Sequence, residues 1–201
     1  NVAAGDILTI GTAKNGNYGY LVVYGGFDID PVFESKSTNV KCGIGGMGGA
    51  PLKAGVTLPL STSAHRAVRR IIPPSTQGEI QLIRVVMGPQ EDMFTQNGIK
   101  EFLQSVYTVT SQCDRMGIRL DGPRIDSISG TDIISDATVF GAIQVPGDGR
   151  PIVLMADRQT TGGYAKIGVI ASVDIPRIAQ ARPGSKLKFV SIGIDEAQKI
   201  Y

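Results

Sequence analysis

Apolar and polar positions alternate with period two in short runs along this chain, and Gly, Pro, Asn and Asp clusters interrupt them. Residues 79–87 alternate and stop at Gly88-Pro89. Residues 107–110 are rich in β-branched side chains, and Met116-Gly117-Ile118-Arg119-Leu120 alternates before Gly122-Pro123. Residues 141–145 and 151–156 flank Pro146-Gly147-Asp148-Gly149-Arg150, which predicts a hairpin. Residues 6–12 and 18–24 predict another around Lys14-Asn15-Gly16-Asn17, and 165–173 and 186–194 predict two further strands. Helical spacing is confined to three or four short segments, three of which have a clear start. Thr95 caps the first, with Ile99, Phe102, Leu103 and Val106 on one face. Asp174 caps the second, with Pro176 in its first turn, Ile178 inward and an end at Pro183-Gly184. The third starts at Asp195. Residues 27–41 read as irregular and 124–136 as a polar loop.

Many short strands with few helices and no βαβ alternation predict a mainly β barrel or sandwich. A small residue or Pro, then Gly, two residues, Leu, one residue and an apolar residue recurs at Ala4-Gly5, Ala54-Gly55 and Pro183-Gly184. Each copy predicts a turn feeding a barrel-closing strand. The Gly-rich stretch 42–51 has no phosphate-loop pattern and no helix behind it, so it reads as a close-packed loop. Residues 61–78 shift to Ser/Thr, a basic run and Pro73-Pro74-Ser75-Thr76, and predict a linker.

Composition narrows the function classes. Twenty basic and 18 acidic residues leave a net charge of +2, too small for a nucleic-acid surface. The cluster His65-Arg66 with Arg69-Arg70 reads as a solvated linker face. Two cysteines and a single histidine give neither a disulfide framework nor a zinc-ligand set. The one histidine, His65, also removes a Ser-His-Asp triad. Free thiols fit a reducing compartment, the cytoplasm. No apolar run reaches the ~18 residues of a membrane span. The start, Asn1-Val2-Ala3-Ala4, has no signal-peptide pattern and no Met, as expected of a fragment.

Chemistry is densest at Asp157-Arg158-Gln159-Thr160-Thr161-Gly162-Gly163-Tyr164-Ala165-Lys166. It lies between the apolar runs 152–156 and 167–171, and therefore reads as a rigidly held polar loop. Its Gly pair predicts positive φ and a backbone N–H nest for an anion. Other strand ends carry Gln90, Asp114-Arg115 and Gln144, and a barrel can gather these on one rim with Asp157, Arg158 and Lys166. Arg158 or Arg115 can grip a carboxylate, and loop N–H groups can stabilise an oxyanion. Lys166 or Tyr164 can move a proton. The set points to amide, lactam or carboxyl-transfer chemistry.

Four ordered blocks carry a family resemblance: Gly88-Pro89-Gln90, Asp114-Arg115-Met116-Gly117-Ile118-Arg119-Leu120, Gly141-Ala142-Ile143-Gln144-Val145-Pro146 and Asp157-Arg158-Gln159-Thr160-Thr161-Gly162-Gly163-Tyr164. Tyr20-Leu21-Val22-Val23-Tyr24-Gly25-Gly26, Ser35-Lys36-Ser37-Thr38 and Leu52-Lys53-Ala54-Gly55 match earlier in the chain. The chain resembles the allophanate hydrolase subunit 2 family, which includes the C subunit of prokaryotic 5-oxoprolinase. The Kip-antikinase regulator and the carboxyltransferase part of urea carboxylase are similar too. The resemblance implies a cyclophilin-like β-barrel over 73–201 and a partial second barrel over 1–72, the family's N-terminal portion being missing. It implies work in complex with the A and B subunits, the latter of related fold, cleaving 5-oxoproline to glutamate with ATP. ATP is expected in the assembled complex and not on this chain alone. The alternatives are biotin-dependent carboxyl transfer to urea or a similar amide, with biotin on another chain, and antikinase binding without catalysis. On this reading Asp157, Lys166 and Tyr164 are catalytic. Arg158, Gln159, Thr160, Thr161, Gly162, Gly163, Gln144, Asp114, Arg115 and Gln90 bind substrate. Lys36 stands where the family commonly has Arg, which removes a bidentate fork.

Overall fold

The computed structural model describes residues 3–61 and 79–201. The predicted linker over 61–78, with its basic cluster, and the expected domain boundary at 72/73 lie outside the described residues but for Ser61. The chain divides into two units, Gly19–Pro74 and Asn1–Tyr18 with Ser75–Tyr201.

In the first of these units, β1 (Thr38–Asn39) and β2 (Ile44–Gly45) form a short antiparallel ladder. The Gly-rich stretch behind it is a close-packed turn, as expected. A Cβ on Gly45 would run into the Ser37 carbonyl, and one on Gly49 into the Gly43 carbonyl. Both take positive φ, so only glycine fits there without strain.

The second unit is built on a barrel. Its elements are β3 (Ile80–Met87), α1 (Gln96–Gln104), β4 (Tyr107–Cys113), β5 (Gly117–Asp121), β6 (Asp132–Ala137), β7 (Ala142–Gln144), β8 (Ile152–Leu154), β9 (Thr161–Tyr164), β10 (Lys166–Ile170), α2 (Ile175–Ala179), β11 (Lys186–Ser191) and α3 (Ile194–Lys199). Strands β10, β3, β11, β4, β5, β8 and β7 close in that order. β3 and β11 are parallel; the other barrel pairs are antiparallel. Closure removes the exposed strand edges that invite aggregation. Inward residues of successive strands, among them Ile83, Val85, Val109, Ile118, Leu120, Ile143, Val153, Ile167, Leu187 and Phe189, make the core. Helix α1 packs against β11. Thr95 Oγ1 accepts the Gly98 N–H at 2.9 Å, as its sequence position predicts, and Phe102 stacks on Phe189 at 4.7 Å.

Tyr107 lies in this core with its ring on Phe189, and its hydroxyl has no partner among the described residues. Burial pushes that hydroxyl's pKa up. An unpartnered buried donor costs free energy, so Tyr107→Phe should be neutral or stabilising by up to about 1 kcal/mol. Urea unfolding checks this; a loss above about 1 kcal/mol would point to an unrecognised partner.

Several local expectations are corrected. No strands form over 6–12 or 18–24; β propensity is realised only with a partner strand, and the described residues offer none. The Asn15-Gly16-Asn17 turn instead docks on the end of α2. Asn17 Nδ2 donates to the Ala181 carbonyl at 2.6 Å, and the Asn17 and Tyr18 N–H groups donate to Gln180 Oε1 at 2.8 and 2.9 Å. Of the three recurring turn-strand patterns only the last, at β11, becomes a strand. Residues 132–136, expected in a polar loop, belong to β6, which pairs with β9 in a separate two-stranded ribbon. The ribbon is largely exposed, so its strands carry no apolar alternation to read. Asp174 sits at the start of α2 without capping it. Its carboxylate accepts from Arg84 instead: the backbone N–H at 2.9 Å, Nε at 2.8 Å and a terminal nitrogen at 2.7 Å.

Candidate functional site

The site region is the outer wall of the barrel where β7, β8 and β5 lie side by side. Gln144 is paired with Ile152, and Ile152 with Arg119. Their chain neighbours Ile143, Val153 and Ile118 point into the core. The period-two alternation therefore turns Gln144, Ile152 and Arg119 to the opposite, outer face in one row. A groove of about 500 Å³ runs over this row. Cys113, Asp114, Gln159 and Tyr164 add to its walls.

Gln144 is 2% exposed and anchors the groove. Its Oε1 accepts from Gln159 Nε2 at 3.3 Å, and its Nε2 donates to the Tyr164 carbonyl at 3.3 Å. Two carboxamides are thus held face to face, each with further donors and acceptors available. Asp114 Oδ1 accepts the N–H groups of Met116 (2.7 Å) and Gly117 (3.1 Å), closing the β4–β5 turn at the groove's edge.

The Gly pair does something other than expected. Gly162 and Gly163 lie in strand β9, and neither takes positive φ, so there is no nest there. A Cβ on Gly162 would come within 2.5 Å of Gln144 Nε2, so this glycine makes room for the buried carboxamide. Thr160 and Thr161 hold the ribbon in place: the Thr160 carbonyl accepts the Thr138 N–H at 2.9 Å, and Thr161 pairs with Ala137.

The remaining expected site residues stand in separate groups. Arg115 and Asp157 form a bidentate ion pair, Nε to Oδ2 at 2.9 Å and a terminal nitrogen to Oδ1 at 3.0 Å. Arg158 lies 5.8 Å from the centre of the Phe140 ring and donates to the Thr138 carbonyl at 3.4 Å. Lys166 has a side chain only 5% exposed, and its ammonium donates to Asp136 Oδ2 at 2.9 Å. Gln90 Oε1 accepts the Lys166 N–H at 3.1 Å. Asp136 lies in the segment whose polar composition predicts a loop, so the sequence does not single it out. The polar β6 gave no signal beyond its carboxylates.

The Lys166 hydrogen bond, with the Ala137 N–H, holds the Asp136 carboxyl below the ordinary carboxylate range. A depressed folded pKa means that this pair stabilises the fold above the ordinary carboxyl pKa. The contribution is lost as pH falls through the depressed value. In Lys166→Met, the Asp136 carboxyl should titrate at a higher pH, toward the ordinary range. Carbon-13 detected carboxyl titration measures it; an unchanged midpoint would remove Lys166 as the cause.

The model of the carboxyltransferase domain, subdomain A and B, matches residues 1–191. The chain belongs to this family. It is 37% identical over 199 residues to the 5-oxoprolinase C subunit of Haemophilus influenzae, covering 99% of this chain and 64% of that one. It is 38% identical over 201 residues to the 5-oxoprolinase C subunit of Escherichia coli, covering 98% and 63%. The crystal structure of the K. lactis urea amidolyase superposes with a TM-score of 0.77 at 26% identity, over 87% of this chain and 12% of that one. The chain thus spans a little under two thirds of the length of the 5-oxoprolinase relatives it matches. Among the described residues no helix is long and apolar enough to cross a membrane.

Proposed function

We propose that this chain is part of a 5-oxoprolinase C subunit, in the cytoplasm, which works with the A and B subunits in ATP-dependent cleavage of 5-oxoproline to glutamate. The observation that carries the reading is the 37–38% identity to two proteins of that name along nearly the whole chain. A groove holding two carboxamides and a phenol supports it, because a lactam offers one N–H and one C=O to such a set. Lactam hydrolysis breaks the C–N bond and consumes one water, leaving a carboxylate and an ammonium; the accompanying ATP hydrolysis in the complex consumes a second water and leaves ADP and phosphate.

In this reading Gln144 and Gln159 hydrogen-bond the lactam amide. Tyr164 lines the groove, and this reading gives its hydroxyl the role of donor to the oxygen that gains charge when the carbonyl is attacked. Lys166, through Asp136, fixes the ribbon that carries Tyr164, and Arg115–Asp157 fixes the turn beside it. ATP is assigned to the assembled complex and not to this chain, whose Gly45 and Gly49 serve close backbone packing. The K. lactis urea amidolyase likeness supports a second reading: carboxyl transfer to a urea-like amide, with the biotin on another chain.

Reconstitution separates the two. The full-length polypeptide, assembled with the A and B subunits, should release glutamate from 5-oxoproline only with ATP, and omitting this polypeptide should abolish release. ATP-dependent carboxylation of urea with a biotin carrier, and no glutamate, would favour the second reading.

A further inference from the structure

The groove has a charged end that the amide reading leaves unused. Arg119 lies one strand beyond Ile152 and two beyond Gln144, so its Cα is about 10 Å from that of Gln144 by strand spacing. It lines the groove from an exposed position between the buried Ile118 and Leu120. Every other arginine in residues 79–201 has a partner. Arg84, Arg115, Arg124, Arg150 and Arg177 pair with carboxylates. Arg158 and Arg182 donate to backbone carbonyls. The Arg119 guanidinium has none among the described residues. The groove's own acid, Asp114, has one carboxylate oxygen engaged by the Met116 and Gly117 N–H groups. The apolar Ile152 lies between the cation and the carboxamides.

We propose that Arg119 is the carboxylate-binding end of this groove. Its ligand is then a short amide or lactam that carries a carboxylate, with an apolar middle over Ile152. This rests on the lactam reading of the same groove and deepens it: 5-oxoproline has the carboxylate, and urea does not. A guanidinium suits the task because its planar fork matches both carboxylate oxygens, which an ammonium cannot do. Arg119 thus sets specificity: it chooses among amides and leaves the bond-breaking to the other end.

The test uses the assembled complex and two lactams, 5-oxoproline and 2-pyrrolidinone, which lacks the carboxylate. Binding is measured by calorimetry without ATP, and turnover with it. Wild type should bind 5-oxoproline tighter than 2-pyrrolidinone by on the order of 10- to 100-fold, the value of a charge-assisted pair. Arg119→Met should remove most of that preference and raise KM for 5-oxoproline with less effect on kcat. Arg119→Lys should fall between. Unchanged affinity for 2-pyrrolidinone shows that the variant groove is intact. If Arg119→Met keeps the wild-type preference, or wild type has none, the inference is overturned. If the preference follows Arg119 but the complex releases no glutamate with ATP, the carboxylate site stands and the 5-oxoprolinase reading falls.

Discussion

Arg84→Met should destabilise the barrel unit by about 3 kcal/mol, the low end of what breaking a buried ion pair costs. Asp174 has no exposed side-chain area, and Arg84 gives it three hydrogen bonds, one of them from the backbone. The variant keeps that backbone N–H and the longer Arg177 contact at 3.5 Å, which hold the cost at the low end. What remains is a buried carboxylate with too little to replace water. A Tm drop of roughly 6–12 °C corresponds to that loss. The pH dependence carries a sign. Burial pushes the Asp174 carboxyl up, but the Arg84 side-chain and backbone hydrogen bonds outweigh it and hold the pKa below the ordinary range. The contribution is therefore present above the ordinary carboxyl pKa and fades as pH falls through the depressed value. Urea unfolding of both proteins across pH should show the gap narrowing in acid. A gap below about 1 kcal/mol at neutral pH would mean that the pair is not a main tie between β3 and α2.

Gln144→Leu should lower kcat/KM of the assembled complex for 5-oxoproline by on the order of 10–10²-fold, the cost of leaving the bound lactam amide without one of its buried hydrogen-bond partners. Leucine fills much the same space between β7 and the ribbon. Gln159 is exposed and can turn to water, so the stability cost should be about 1 kcal/mol. The contrast between a large kinetic and a small thermodynamic effect is the signature. Steady-state kinetics with a parallel melting curve reads both. A loss of activity matched by loss of fold would make Gln144 a structural residue only.

How much of this was legible depends on what each residue answers to. The Thr95 cap, the β7–β8 hairpin and β11 were readable because local signals and the buried face agree there. The hairpin expected at 6–24 failed because strand formation needs a partner that local pattern cannot supply. The β6–β9 ribbon was missed for the opposite reason: an exposed ribbon needs no apolar alternation, so Asp132 to Asp136 looked like loop. The same miss hid Asp136, and with it the counter-charge of Lys166. The 157–166 stretch did hold groove residues, Gln159 and Tyr164. Its glycines do not form the nest that their pairing predicts, because Gly162 answers to the bulk of Gln144 packed against it and not to its own backbone. Arg119 stood within a block that carried the family resemblance. Only the register across β5, β8 and β7 puts it in line with Gln144.

The central claim is that the outer-wall groove over Gln144, Ile152 and Arg119 is where the lactam sits. A crystal structure of the assembled complex with 5-oxoproline tests it most directly. The lactam amide should lie within hydrogen-bond reach of the Gln144 and Gln159 carboxamides, with the carboxylate toward Arg119. Ligand found at the Arg115–Asp157 pair or on another polypeptide of the complex, with this groove filled only by water, would contradict the account.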